Sequence, residues 1–329
     1  MKEVERRKRI YMKQVNESEG FDVSGLPVPD FAPGLIEHIC NDTCSPLVLL
    51  YSQLGLHRYN LLQGKNLQLS SVRKYNKSIG STTPSYYITL VAVDPATQLL
   101  QTFQTRVDEL RSGQFVLDCS IARPLGETEI KKSSEWPPKP VEDLLHTFPE
   151  WPPKNPFKKS KRCYVLKKSE LRENDDWIRL YLELAVATSN RGDTLENHLV
   201  SNLKIVKVAI DTTSTQEGLD LFAIVYIRYK DSCKARVGKD VDRVAVVRRF
   251  FNEGMGAFSL VGQNLGIIQK KSNKQLLHFK PWLLYTPRYR HSCLTLTRRV
   301  PKARSVEFFL SRFTFRDDFT KKGKESDAL

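Results

Sequence analysis

The sequence has no long apolar segment and no apolar leader. A run of about 18 apolar residues, the length that crosses a bilayer as a helix, does not occur in the 329 residues. Residues 1–9 are charged where a secretory signal peptide requires an apolar stretch. The six cysteines are scattered and lack the dense framework that staples small secreted domains. We therefore expect free thiols, no membrane partner, and a cytoplasmic or nuclear location.

Sequence motifs of catalytic chemistry are also missing. There is no Gly-x-Ser-x-Gly turn, no helix with paired zinc-binding histidines and no phosphate-binding loop ending in Gly-Lys-Ser or Gly-Lys-Thr. The glycines between 254 and 266 do not form a dinucleotide-binding fingerprint, because Ser259 occupies the position of its third glycine. His38, Cys40 and Cys44 could bind a metal ion, but no second pair of ligands accompanies them. We therefore predict no enzyme, no cofactor and no metal site, although a triad assembled only in three dimensions stays open.

Acidic residues are missing from one long stretch of an otherwise mixed-charge chain. No Asp or Glu occurs between Gly254 and Val306, and ten Lys or Arg fall within 270–304, so much of the net charge of +15 is local. The candidate residues for an anionic partner are Arg288, Arg290, Arg298, Arg299, Lys302 and Arg304. Interleaved Trp and Tyr side chains could stack on bases while these residues neutralise phosphates. The stretch is therefore a candidate nucleic-acid or acidic-protein surface, and a solvated basic face explains the same residues.

The composition that is present is typical of a folded globular protein. Hydrophobic residues make up 40% and charged residues 27% of a chain long enough for two domains. Residues 1–34 are predicted to be a charged N-terminal segment and tether, since 2–16 form a marginal helix and three prolines interrupt 20–34.

Residues 35–126 predict a helix followed by an antiparallel meander. Ser45-Pro46 begins a helix whose apolar residues recur at helical spacing until Gly64. Strand-like runs follow at 67–72, 86–93, 99–107 and 115–121. The alternation of apolar residues changes phase between Leu69 and Val72, which is typical of a β-bulge. One face of the helix and one face of the sheet would be buried together.

Residues 127–161 form a linker rich in proline and tryptophan. The motif Glu-Trp-Pro-Pro-Lys occurs twice and supplies the candidate binding residues Trp136, Pro137, Pro138, Trp151, Pro152 and Pro153. Paired prolines favour polyproline II, so the motif could bind an aromatic groove of a partner. The alternative is a semi-rigid linker whose tryptophans pack back on the domains.

Residues 162–315 repeat the order of a helix and then strands. Asn174 or Asp175 begins a helix with Trp177, Leu180 and Tyr181 on one stripe. Strand-like runs follow at 203–210, with a second change of phase, then at 219–229, at 241–251 and in the basic C-terminal part, and 316–329 are predicted to be a disordered tail. The predicted fold is therefore α+β, with two units that each pack a helix on a curved antiparallel sheet.

The first unit resembles plant cystatins. The resemblance lies in Tyr59-Asn60 and Gly64 of the helix and in the strands 67–72 and 86–94. It implies the cystatin/monellin fold for both units. Together with Trp177 to Ala185, residues 1–315 are similar to a cystatin-related plant family that is expanded in the mustard lineage and named for an embryo-defective locus. That likeness implies an architecture and no activity.

Cystatins inhibit papain-like proteases through a Gln-x-Val-x-Gly loop and a later Pro-Trp loop. The matching residues here are 76–80, which keep only Gly80, and Asp108-Glu109-Leu110, which replace Pro-Trp with charges that an apolar cleft disfavours. We therefore predict a non-catalytic protein-interaction or regulatory protein in plant development. A degenerate cysteine-protease inhibitor is the first alternative, and a nucleic-acid-binding protein is the second. The partner is expected to be a protein, and the sequence makes no prediction of the oligomeric state.

Overall fold

Strands of both halves of the chain build one ten-stranded antiparallel sheet with the order β1-β2-β3-β4-β5-β10-β9-β8-β7-β6. A computed structural model of the chain describes residues 2–25, 34–41, 43–127, 147–152, 155–158, 160, 162–189, 200–211, 222–237, 241–252 and 256–265. The strands are β1 Gly34–Ile39, β2 Gln68–Ile79, β3 Ser85–Val93, β4 Leu100–Glu109, β5 Phe115–Pro124, β6 Cys163–Val165, β7 Leu203–Asp211, β8 Phe222–Asp231, β9 Val241–Asn252 and β10 Ala257–Leu265.

Helices precede and interrupt this series of strands, and α2 and α3–α4 occupy matching places in the two halves. They are α1 Lys2–Glu17, α2 Pro46–Gln63, α3 Lys168–Glu173, α4 Asp175–Ser189 and the short α5 Lys234–Val237. Proline at the first position begins α2, and Gly64 ends it in a left-handed conformation with φ of 62° and its N–H bonded to the carbonyl of Asn60. The three predicted helices, over 2–16, from Ser45-Pro46 to Gly64 and from Asn174 or Asp175, are therefore confirmed.

The order of one strand, a helical segment and four strands runs through each half, with α2 after β1 and α3–α4 after β6. The α+β class is confirmed. The prediction of a separate sheet for each unit is wrong, because β5 pairs with β10 through Asp118↔Ser259 to Phe115↔Gly262 and closes both halves into one sheet. The likeness of each half to a cystatin and the domain limits stay predictions.

One hydrophobic core lies between the sheet and the pair of helices α2 and α4. Tyr51 and Leu54 of α2 and Tyr181 of α4 are fully buried against residues of both halves of the sheet. Because side chains alternate across a strand, Tyr86 faces this core and contacts Tyr51, whereas Tyr87 faces the other side. The helices therefore cover one face of the sheet, which we call the helix face.

Chain segments cover parts of the opposite face. Phe21, predicted to lie in a tether, is buried and packs edge-on against Tyr87 at 5.7 Å between ring centroids. The prediction that 20–34 is only a tether is thus wrong for 20–25, which pack on the sheet. The remainder, 26–33, lies outside the described residues. In the second half, Trp151 packs on Tyr226 and Phe157 at 5.8 and 6.3 Å.

Both predicted bulges are present. The pairing of β2 with β3 shifts between Leu69 and Ser71, and that of β7 with β8 shifts between Ile205 and Lys207. These are the places where the apolar alternation changes phase, so the pattern located the irregularity correctly.

The cysteines depart from the expected set of free thiols at one place. Cys40 and Cys44, between β1 and α2, are joined by a disulfide. Among the described residues, Cys119, Cys163 and Cys233 are buried and form no disulfide. Cys293 lies outside the described residues.

We predict that Gly55→Ala destabilises the protein, although alanine is the better helix former. A Cβ at Gly55 would overlap the Thr105 side chain of β4, 2.5 Å from its Cβ. Overpacking of this kind costs about 2–3 kcal/mol, which outweighs the roughly 1 kcal/mol that helix propensity favours. Urea unfolding measures the change. Gln63→Ala at the exposed end of the same helix is the control, and equal midpoints for the two variants would contradict the close approach of α2 to β4.

Candidate functional site

A groove of about 520 Å³ opens on the helix face, where the second half of α2 meets the start of α4. Its first wall consists of the α2 residues Gln53, Leu56, His57, Asn60 and Leu61. Its second wall consists of Glu173, Asn174, Asp176, Trp177, Arg179, Leu180 and Glu183, and residues 66–69 at the start of β2 close one end. The volume lies within the range of ordinary ligand pockets.

Two asparagines fix the walls of the groove. The Asn60 side chain donates to the carbonyl of Leu67 at 2.8 Å and accepts from its N–H at 3.0 Å, which ties the end of α2 to the following loop. Asn174 donates to the carbonyl of Glu170 at 2.7 Å, and its Oδ1 accepts from Nε1 of Trp177 at 2.7 Å. These bonds hold both the Trp177 ring and the loop, so the shape of the groove exists before any partner binds.

A histidine and a tyrosine join the two helices beside the groove. Nε2 of His57 lies 3.1 Å from the hydroxyl of Tyr181, although the residues are 124 positions apart. Burial lowers the pKa of His57 to about 3, and the positive charge of Arg249 adds to this effect. Burial raises the pKa of Tyr181 to about 12. Both groups are therefore neutral near pH 7, and their contact couples α2 to α4.

The charged side chains of the groove are mostly acidic. They are Glu173, Asp176 and Glu183, with Arg179 as the one cation among the residues that line it. Nη1 of Arg179 lies 3.9 Å from Glu183, and its Nε lies 3.2 Å from Asp175. Burial raises the pKa of Glu183 to about 7, with the Arg179 charge opposing the shift. The groove thus contains a carboxyl group that changes charge near neutral pH.

The groove offers apolar, amide and carboxyl groups for binding. No serine, threonine, cysteine or lysine is among the residues that line it. With a pKa near 3, His57 is a weak base at neutral pH. The arrangement can therefore hold apolar and cationic groups.

The predicted basic patch cannot be placed. Arg288, Arg290, Arg298, Arg299, Lys302 and Arg304 lie outside the residues that the structure describes. The same holds for Trp136, Pro137, Pro138 and Pro153 of the linker motif. Trp151 and Pro152 of the second copy are described, and Pro152 is buried. The packing of Trp151 on the sheet favours the interpretation of a linker that folds back on the body over that of an exposed polyproline ligand.

Three of the residues that match the inhibitory loops of cystatins form hydrogen bonds within the chain. Asn76 is a buried residue of β2 whose side chain donates to the carbonyl of Gly20 at 2.7 Å. Asp108 accepts from Arg106 at 3.0 Å, and Glu109 is buried and accepts from the hydroxyl of Tyr51 at 2.9 Å. These side chains therefore stabilise the fold.

Neither a membrane-spanning helix nor a cluster of metal ligands occurs in the part of the chain that the structure describes. No helix there is long and apolar enough to cross a membrane. No group of three or more His, Cys, Asp or Glu side chains could hold a metal ion there. His38, a candidate ligand, stacks on Tyr75 with 4.6 Å between ring centroids.

Part of this groove lies on the apolar stripe that the sequence predicts for α4. Trp177 and Leu180 were predicted as core residues of a helix, which they are, but His57 and Glu183 were not singled out. One signal was present: Glu183 interrupts the apolar run from Tyr181 to Ala185. A carboxylate within such a run is expensive to bury and is therefore a candidate for a special role.

The chain is similar to several plant proteins. The profile of the family described as Protein MS5 matches residues 148–260. UPF0725 protein EMB2204 of Arabidopsis thaliana is 40% identical over 283 residues, which cover 80% of this chain and 84% of the relative. UPF0725 protein At1g02770 of the same plant is 39% identical over 268 residues, 78% of this chain and 82% of the relative.

A solved structure shows the same similarity in three dimensions. The crystal structure of MS5 from Brassica napus superposes with a TM-score of 0.53 at 32% sequence identity. The match covers 68% of this chain and 100% of the Brassica chain. None of these names describes an enzymatic activity.

We predict that Glu183→Gln removes a pH dependence of stability. In the folded chain Glu183 has a pKa of about 7, against 4.5 as an unperturbed group, so between these values the folded state binds more protons than the unfolded state. The free energy of unfolding of the natural chain therefore falls as pH rises from 4.5 to 7. The Gln variant should become the more stable of the two by up to about 3 kcal/mol above pH 7.

The measurement is urea unfolding of both proteins at several pH values. The difference between the two curves isolates Glu183, because His57 and other groups titrate in both. Glu5→Gln on the exposed surface of α1 is the control and should leave the pH curve unchanged. Parallel curves for Glu183→Gln and the natural chain would show that this carboxyl group titrates normally.

We also predict that the chain does not inhibit papain. Three of the residues that would form the two inhibitory loops, Asn76, Asp108 and Glu109, are engaged within the fold. Papain mixed with an equimolar amount of the protein should keep its full activity, while a plant cystatin in the same assay should abolish it. Stoichiometric loss of papain activity would contradict this expectation.

Proposed function

Because this chain belongs to the Protein MS5 family, which includes the UPF0725 proteins of Arabidopsis, we propose that it is a non-catalytic interaction protein that binds a segment of a partner protein in the groove between α2 and α4. The observation that carries the proposal is the preformed groove itself. Apolar walls, a fixed tryptophan and hydrogen-bonding side chains meet there, and no serine, threonine, cysteine or lysine is among the lining residues.

The shape and position of the groove support a peptide as its ligand. Helix walls with apolar side chains are a common setting in which proteins bind segments of other proteins. Asn60 and Asn174 hold the walls through hydrogen bonds within the chain, so binding does not require the groove to be ordered first. Gln53, Asn66 and Gln68 are exposed around the opening and can hydrogen-bond to a peptide backbone.

The two halves of the chain support a second element of the proposal. Each half contains one strand, a helical segment and four strands in the same order, which is the order expected for a cystatin-like unit. In this proposal the units serve as a scaffold for contact, and the groove lies where their helices meet. Loops that inhibit proteases in cystatins have no such role here.

We predict that a bulky residue at Gln53 blocks the groove. The full-length protein is used to select binders from a library of short random peptides, and their affinities are measured by calorimetry. Gln53→Trp places a large side chain on the exposed rim of the groove without changing the core. The selected peptides should bind this variant at least about tenfold more weakly, a loss of ~1.4 kcal/mol.

The matched control is Gln63→Trp, the same substitution on the same helix at an exposed position outside the groove. Its affinity for the peptides should equal that of the natural chain. Peptides that bind both variants as well as the natural chain would place the interaction elsewhere and refute the proposed role of the groove.

A further inference from the structure

The acidic character of the groove contrasts with the rest of the chain. The whole protein carries a net charge of +15, whereas the groove has three carboxyl groups and one guanidinium group. The Arg179 side chain is already shared between Asp175 and Glu183. Glu173 and Asp176 are exposed at the opening, and within the described part of the chain neither forms an ion pair. A cation that approaches the groove therefore meets a local negative field.

Glu183 lies deeper than the other two carboxyl groups. Its side chain is 17% exposed, and its distance of 3.9 Å from Nη1 of Arg179 is too long for a direct hydrogen bond. Its neighbours in the groove include Leu180 on the same helix and His57 on the facing helix, which is neutral. The carboxyl group is thus partly removed from water, and Arg179 is its nearest cation without being in hydrogen-bond contact. A ligand cation within hydrogen-bond distance would stabilise the ionised form further.

Apolar side chains surround the path to Glu183. Leu56 and Leu61 of α2, Leu67 of the loop, and Trp177 and Leu180 of α4 line the same cavity. Lysine and arginine bury their aliphatic stems on such surfaces while the charged end reaches a polar partner. The volume of about 520 Å³ accepts roughly two or three side chains, so an apolar neighbour can enter beside the cation.

We propose that the α2–α4 groove is a site for a lysine or arginine side chain of a partner protein, flanked by an apolar residue, with Glu183 as the anchoring carboxylate. This inference rests on the proposed function and specifies the chemistry of the partner. Glu173 and Asp176 guide the cation from the opening, and the leucines and Trp177 enclose its stem and the apolar neighbour.

Binding of this kind depends on the charge of Glu183. The groups that face it are Arg179 and Asp175 on its own helix and His57 on α2, with Glu173 and Asp176 nearer to the opening. With a pKa of about 7, Glu183 is mostly protonated at pH 6 and mostly ionised at pH 8. Affinity for a cationic peptide should therefore rise about tenfold from pH 6 to pH 8.

The test uses the full-length protein and peptides selected from the random library. Selected sequences should contain Lys or Arg next to an apolar residue. Replacing that Lys or Arg by Gln, or Glu183 by Gln, should each weaken binding about tenfold, and the two changes together should weaken it little further. Glu183→Gln should also abolish the rise in affinity with pH, whereas Glu5→Gln should preserve it.

Outcomes that overturn this inference differ from those that overturn the proposed function. Peptides that are lost with Gln53→Trp but lack a cation, or that bind Glu183→Gln unchanged, refute the cation site and leave the interaction groove standing. Peptides indifferent to Gln53→Trp refute the groove itself. The two failures are therefore separable in one set of titrations.

Two other occupants would also be recognised. If replacing Arg288, Arg290, Arg298, Arg299, Lys302 and Arg304 together by Gln makes the peptides bind more tightly, the chain's own basic stretch competes for the groove and the assignment to a partner is wrong. If the protein sediments as a dimer that Gln53→Trp dissociates and Gln63→Trp does not, the occupant is a second copy of the chain.

Discussion

The pairing of β5 with β10 is the constraint on which the rest of the architecture depends. Only four residue pairs join these strands, whereas β10 and β9 share nine. Side chains reinforce the short ladder. Ser259 donates to Asp118 at 2.7 Å, and Arg58 of α2 donates to the carbonyl of Gly256 at the start of β10. A Cβ at Gly262 would lie 2.5 Å from the Phe115 ring, so glycine is what allows the two strands to approach here.

The β5–β10 pairing, which we call the seam between the two halves, also creates the groove. It fixes the two halves of the sheet side by side, and the helix that lies on each half is thereby brought against the other. His57 and Tyr181 meet only because of this arrangement, since no local structure could bring together residues 124 positions apart. The walls of the site therefore belong to different halves, and its floor is the continuous core that they share. A separate half would present one wall and no groove.

The local structure could be predicted from the sequence because the patterns that indicate helices and bulges lie within short segments. The spacing of Leu50, Tyr51 and Leu54 predicted α2, and the change of phase near Leu69 predicted a bulge, both of which the structure contains. The seam has no comparable signal, because the edge strands of two half-sheets look alike whether they pair with each other or face water. The disulfide of Cys40 and Cys44 was missed since scattered cysteines do not reveal their pairing.

The same limit applies to the site. A helical stripe indicates that Trp177 and Leu180 are buried, but not that one side of the stripe ends at a cavity. Glu183 was visible as a charge within an apolar run, yet its depth depends on α2, which is distant in sequence. Prediction from pattern therefore gives the elements and their buried faces. The groove that α2 and α4 enclose depends on strand pairing between residues that are distant in sequence.

Ionisable groups with shifted pKa values are common at catalytic sites. The cause of each shift therefore decides what these groups indicate here. For His57, Tyr181 and Glu183 the largest cause is burial, which favours the neutral form of each group. A catalytic pair needs one group that gives and another that takes a proton near neutral pH, and shifts to about 3 and about 12 move His57 and Tyr181 away from that range. Glu183 alone has a pKa shifted to a value near that range, beside the carboxyl groups of Glu173 and Asp176. Burial thus leaves one group in this groove whose charge changes near neutral pH and can attract a cation.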